Sequence, residues 1–184
     1  SRYDDQRDVL SDAPIRVGEE IANIQPILGI LQDLGLVRTK TFKYAKVASL
    51  PLPASADEIT ALESAFSQSD FFFVHVKKTD SYGEDGNFDA KVHVIEEVDR
   101  ELPRLLALNP DVIVVTGDHS TPAAYKAHSW HPVPVLLWSK WCRPDRAKGF
   151  SERECRFGGL GHLRSAELMP LMMGYAEWLT KFGA

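Results

Sequence analysis

Phe71-Phe72-Phe73-Val74-His75-Val76 and Val112-Ile113-Val114-Val115-Thr116 decide the reading of this chain. Both are short, nearly unbroken runs of aromatic and β-branched residues, the pattern of strands buried on both faces of a parallel sheet. Between them, Phe88 to Leu108 carries Val92, Ile95, Val98, Leu102, Leu105 and Leu106 in helical register, with Pro103 marking a candidate break or bend. Strand, helix and strand in that order predict a right-handed βαβ crossover. A third apolar run, Val133 to Trp138, predicts another strand, and Ser165 to Phe182 predicts a closing amphipathic helix. The fold class is therefore α/β, with a largely parallel sheet flanked by helices.

Upstream the signals are weaker. Ile21, Ile24, Ile27, Leu28, Leu31 and Leu34 recur at helical spacing, with Gly35 placed to end the helix and Pro26 inside it. Leu50-Pro51-Leu52-Pro53 reads as a loop, and Ser55 with Glu58 has capping-box spacing for a helix running to about Phe66. The charged opening segment shows no strand pattern before Val17 and does not start with Met, as expected of a chain that begins in mid-protein.

With 184 residues, 44% of them hydrophobic, the chain can bury one good core but not two of ordinary size, so residues 1–184 are expected to form a single domain. A formal net charge of −5 argues against nucleic acid or an anionic membrane surface as a general partner. The sequence contains neither an uncharged apolar run of membrane-spanning length nor a signal-peptide stretch at the start, so a soluble, cytoplasmic protein is expected. Two cysteines, Cys142 and Cys155, do not indicate a disulfide scaffold. Combined with His162 they match no closed zinc motif, because the spacing is wrong and one ligand is missing.

Ligands of open α/β sheets bind outside the carboxyl ends of the strands. Here the first strand is followed by Lys77-Lys78-Thr79-Asp80-Ser81-Tyr82-Gly83-Glu84-Asp85-Gly86-Asn87, read as a polar loop. The second is followed by Thr116-Gly117-Asp118-His119-Ser120-Thr121-Pro122, and His128-Ser129-Trp130-His131-Pro132-Val133-Pro134 lies ahead of the third. These segments offer carboxylates and imidazoles, a mixed oxygen and nitrogen set suited to manganese or zinc. A lone loop carboxylate is as often a turn former or a cap. Asp118-His119 is more telling, because two polar side chains directly after an apolar strand point into different parts of one cleft and two neighbouring metals can share them. His75, inside a strand, and His93, inside a helix, read as core or surface histidines rather than ligands. His131 and His162 receive no role, and Lys77 and Lys78 read as solvated lysines beside a loop that could meet a phosphate.

These three runs resemble the C-terminal metal motifs of archaeal-type cofactor-independent (2,3-bisphosphoglycerate-independent) phosphoglycerate mutases, in the alkaline-phosphatase superfamily. The likeness covers about Asp70 to Ala184, and its specific part is Asp-His-Ser-Thr-Pro followed closely by His-Ser-x-x-Pro-Val-Pro. The resemblance implies two divalent metal ions (manganese, zinc or magnesium) beside a serine that is transiently phosphorylated as a phosphoryl group moves between the 3- and 2-hydroxyls of glycerate. It implies that Asp80, Glu84 and His128 bind one metal and that Asp118 and His119 bind the other. Glu84 departs from the family pattern, where this position is commonly His; a carboxylate there still ligates and favours a harder ion.

The family's early aspartate ligand and serine nucleophile have no counterpart in this sequence, since neither Ser1 nor Ser11 stands at a strand end in a matching motif. The expectation is thus a metal cradle whose nucleophile comes from elsewhere, inactive as an isolated chain, within a protein acting on phosphoglycerate or another small phosphorylated substrate. Metal ligands alone do not decide whether a phosphoserine is discharged to glycerate or to water, which leaves a phosphatase or phosphodiesterase of the same superfamily, or a non-catalytic binding module, as alternatives.

Overall fold

A computed structural model describes residues 44–47 and 55–179. The helix expected over Ile21–Leu34, the loop at Leu50–Pro53 and the Ser55/Glu58 cap fall outside the described residues or rest on side chains that do. No helix among the described residues is long and apolar enough to cross a membrane.

The element order is β1 (Tyr44–Val47), α1 (Ser55–Ala65), a 3-10 turn (Phe66–Gln68), β2 (Phe71–Val74), α2 (Lys78–Glu84), α3 (Phe88–Ala107), β3 (Val112–Thr116), β4 (Val135–Ser139), α4 (Glu152–Cys155) and α5 (Ser165–Tyr175). The aromatic and β-branched runs do form strands, and β3 has the bounds of its apolar run. Their pairing differs from the expected crossover. β2 runs parallel to β1, with Tyr44 opposite Phe71 and Val47 opposite Val74, so the parallel βαβ unit is β1–α1–β2, one element earlier than expected. Among the described residues β3 is hydrogen-bonded to β4, not to β2.

β4 is antiparallel to β3, with Val112 opposite Ser139 and Thr116 opposite Val135. The expected third strand thus runs antiparallel to the second, and its direction has a consequence for placement. In a parallel pair, the residues ahead of β4 would lie at the opposite edge from those following β3. In the antiparallel register, the chain entering β4 starts beside the end of β3. Thr116 Oγ1 donates to Pro134 O at 3.0 Å and Ser129 N donates to Ser120 O at 2.8 Å, which ties the two connections together.

The segment after β2 is also not a loop. Lys78–Glu84 is a helix, entered through Asp80 N and Ser81 N donating to Lys77 O and closed by Gly86 at φ +72°. Gly86 N donates to Gly83 O and Asn87 N to Tyr82 O, the paired bonds of a Schellman ending, which needs a residue in the left-handed region. Asn87 then caps α3 by accepting from Ala90 N at 3.1 Å.

α3 is continuous through Pro103. The proline and Asp99, whose carbonyl it leaves without its usual helical partner, are both exposed, so the break in the bonding pattern falls on the solvent side of the helix. α3 packs on α1 and α2, with Ile59 and Leu62 of α1 and Val94 of α3 among the buried apolar side chains. Arg104 of α3 forks onto Glu63 of α1 at 2.6 and 3.0 Å and reaches Glu101 at 2.7 Å. α5 lies against β3 and buries Met173. It ends at Tyr175, short of the expected Phe182, because Glu177 takes φ +61° while its N–H donates to Gly174 O and that of Trp178 to Met173 O.

Candidate metal centre

Asp80 and Glu84 lie one turn apart on α2, so their side chains share one face of that helix. Asp118 and His119 follow β3, and His128 stands on the connection into β4 that the antiparallel register returns to the same edge. The five side chains form one cluster. His128 Nε2 is 3.4 Å from Asp80 Oδ1 and 3.6 Å from Glu84 Oε1. His119 Nε2 is 3.3 Å from Asp118 Oδ2, and His119 Nδ1 is 3.9 Å from Asp80 Oδ1. The two imidazole rings stand 4.0 Å apart between centroids.

Asp80 is the pivot, touching both imidazoles and the Thr121 hydroxyl. Its own carboxylate is largely shielded, at 18% side-chain exposure, whereas Glu84 and His128 are more than half exposed and face the open side. The helix can approach this closely because its penultimate residue is Gly83. A Cβ there would collide with the Thr121 carbonyl oxygen and crowd Thr121 Cγ2 at 3.0 Å and Lys91 Nζ at 3.1 Å. Glycine costs a helix interior roughly 0.5–1 kcal/mol relative to alanine, so this position gives up helix propensity for proximity.

Asp80, His119 and His128 each offer one ligand atom, and these lie within 4.8 Å of one another. Among the described residues no other group of three or more His, Cys, Asp or Glu side chains does so. Cys142, Cys155 and His162 accordingly do not assemble; Cys142 is instead 3.7 Å from the Leu137 carbonyl. The tight trio cuts across the two ligand sets implied by the resemblance, with His119 lying between Asp80 on one side and Asp118 on the other.

Sequence reading passed over two neighbours of the cluster. His75, just past β2, is half-buried, and desolvation pushes its imidazole below the ordinary value of 6.5, opposed by the negative charge of Asp118 and, more weakly, Asp80. It borders the site rather than belonging to a remote core. Thr121, 4% exposed, hydrogen-bonds both Asp80 and His119; its place in Asp-His-Ser-Thr-Pro was the available signal. His93 is on the surface, paired with Glu97 at 3.2 Å. Lys77 is exposed and 4.0 Å from Asp80 Oδ2, and Lys78 lies over the Tyr82 ring.

The cluster holds three carboxylates and two imidazoles without a thiolate. Such a donor set fits a divalent cation that accepts oxygen and nitrogen, and facing acceptors this close need positive charge near them. The profile of the Metalloenzyme superfamily matches residues 10–175. The chain belongs to the Metalloenzyme superfamily. Its relatives in that superfamily include a probable 2,3-bisphosphoglycerate-independent phosphoglycerate mutase of Thermotoga neapolitana, 59% identical over 128 residues, covering 70% of this chain and 32% of that protein. Another, of Thermus thermophilus and with the same name, is 53% identical over 139 residues, covering 73% of this chain and 34% of that protein. Among solved structures, the PH0037 protein from Pyrococcus horikoshii aligns with a TM-score of 0.64 at 38% identity, over 68% of this chain and 39% of that one. The chain spans about a third of the length of the curated relatives it matches.

Proposed function

We propose that this chain is the metal-binding part of a phosphoglycerate mutase that interconverts 3-phosphoglycerate and 2-phosphoglycerate through a phosphoserine. The reading rests chiefly on the convergence of Asp80, Glu84, Asp118, His119 and His128 at one edge, in a chain whose relatives at 53–59% identity carry that name. Asp80, Glu84 and His128 hold one divalent cation; Asp118 and His119 hold a second, completed by ligands from sequence outside these residues.

Bound in pairs, such cations screen phosphoryl charge and lower the pKa of a hydroxyl they contact. The residues of this chain contribute position. α2 presents Asp80 and Glu84 together, the tie between Ser120 and Ser129 sets His128 against His119, and the Thr121 hydroxyl anchors Asp80. Since phosphoryl transfer depends mainly on positioning and charge stabilisation, a rigid array of acceptors is the appropriate contribution. Glu84, where the resemblance leads one to expect His, adds a negative charge and shifts preference toward manganese or magnesium over zinc.

The test is an assay of the full-length protein on 3-phosphoglycerate, following 2-phosphoglycerate and free phosphate in parallel. Metal-dependent 2-phosphoglycerate formation that is lost in Asp80→Asn and Asp118→Asn supports the proposal. Phosphate release in its place would identify a hydrolase of the same superfamily, and neither product would identify a binding module.

A further inference from the structure

Thr121 makes three contacts that together fix more than its own position. Its hydroxyl donates to Asp80 Oδ1 at 2.7 Å and stands 3.0 Å from His119 Nδ1. Lys91 Nζ donates to its carbonyl oxygen at 2.6 Å, and the missing side chain of Gly83 leaves the space that its backbone occupies. Buried and held at both ends, this side chain has no solvent-facing alternative.

The protons can be counted. A threonine hydroxyl carries one, and an ionised carboxylate can only accept, so the hydroxyl proton is committed to Asp80. The contact with His119 is then a hydrogen bond only when Nδ1 carries a proton and donates it to Thr121 Oγ1. In the neutral imidazole that leaves the lone pair on Nε2, which faces Asp118 Oδ2 at 3.3 Å. Two acceptors set against each other in this way repel, and a cation beside them relieves that repulsion.

The geometry points to Thr121 as a positioning residue that selects the Nδ1–H tautomer of His119 and so delivers Nε2, with Asp118, to a divalent cation. This resolves the ambiguity of the trio. The nitrogen nearer Asp80 is the protonated one, so His119 serves the Asp118 side of the cluster. Support of a ligating imidazole through its second nitrogen typically changes metal affinity by about 10–100-fold. The cation half of the inference rests on the metal reading above; the tautomer half does not.

The two halves are tested separately. Long-range proton–nitrogen NMR on the metal-free 184-residue chain, at a pH where the nitrogen shifts themselves report a neutral ring, should show His119 with its proton on Nδ1. Thr121→Val should move it to Nε2, and Thr121→Ser, which keeps the hydroxyl, should restore it. In a manganese titration, Thr121→Val should bind about 10–100-fold more weakly than the parent at the Asp118–His119 position, measured with a full-length protein so that this position is complete, and Thr121→Ser should recover most of the loss. An Nε2–H tautomer in the parent, or a Val variant that matches the parent in both tautomer and affinity, overturns the assignment. Loss of affinity in both Val and Ser variants also overturns it, since packing rather than the hydroxyl would then matter. A parent with the Nδ1–H tautomer that takes up no manganese in any form supports the role of Thr121 and overturns the metal reading instead.

Discussion

Carboxylates are treated in opposite ways at the 77–131 cluster and in the stretch from Trp141 to Glu167. In the latter, Asp145 accepts from Gly159 N at 2.8 Å and Ala147 N at 2.9 Å, and Glu167 accepts from Arg164 N and from the Arg164 guanidinium, each at 2.8 Å. These donors hold both carboxyls below the usual range, the backbone N–H groups leading in each case. In the cluster, Asp118 accepts one backbone N–H, from His119 at 3.0 Å, but its other oxygen, Asp80 Oδ1 and Glu84 Oε1 face imidazoles and a hydroxyl, with Lys77 at 4.0 Å from Asp80 as a nearby cation. A carboxylate whose lone pairs are met by fixed N–H donors is part of the scaffold. One whose nearest partners are other potential ligands has the surroundings that a cation-binding group would have. Acidity of composition does not distinguish the two cases; the partners do.

The largest expected effect separates them at once. Asp80→Ala should weaken manganese binding by the 184-residue chain by more than about a hundredfold, above the range for merely supporting groups, whereas Asp145→Ala should leave it unchanged. Calorimetric titration of both variants checks the contrast, and equal effects would erase it. The same titration of the parent should give at most one tight divalent site, since Asp80, Glu84 and His128 form a three-ligand set while Asp118 and His119 supply two. The isolated chain should also show no mutase turnover.

Glu84 gives an intermediate case. At 54% side-chain exposure it lies at the open side, so Glu84→Ala should weaken manganese binding by about tenfold, the lower end of supporting-group effects. Glu84→His should keep binding and shift preference toward zinc. An alanine variant that binds as well as the parent would assign Glu84 to solvent.

The smallest effect belongs to the scaffold. The folded-state pKa of Asp145 is lowered, so its stabilisation is present above the unfolded value near 3.8 and is lost as pH falls through the lower folded value. Asp145→Asn should therefore lower stability slightly at neutral pH, with the gap from the parent closing as pH falls below about 4, as measured by thermal unfolding across that range.

Much of this contrast was legible in the residues, and what was not has identifiable causes. The β-branched run Val112–Thr116 declared β3, and the spacing from Val92 to Leu106 declared α3 despite Pro103. Strand direction was hidden, because an apolar run such as Val135–Ser139 reads the same in either orientation; only the pairing with β3 shows that His128 enters from the correct edge. The helix Lys78–Glu84 was hidden because Gly83 and Gly86 look like loop residues, when one admits the Thr121 backbone and the other closes the helix. The two Schellman endings make the same point from both sides. Gly86 offers a cue for the left-handed position after α2, whereas Glu177 occupies the equivalent position after α5 with no cue at all. Candidate ligands could be picked from residue type and motif; their mutual arrangement depended on strand pairing and close approach, which no local pattern encodes.

The antiparallel return of β4 also sets the order in which the cluster can be built. Asp118, His119 and His128 belong to one connection between adjacent strands, so their meeting requires the closure of only a short loop, while Asp80 and Glu84 arrive from a helix far earlier in the chain. Short closures form before long ones. A cation bridging the two parts is thus a clasp across the longest loop in the site. Its binding is linked to keeping α2 docked, and the temperature at which the chain opens should rise with the logarithm of free metal concentration once the site is saturated.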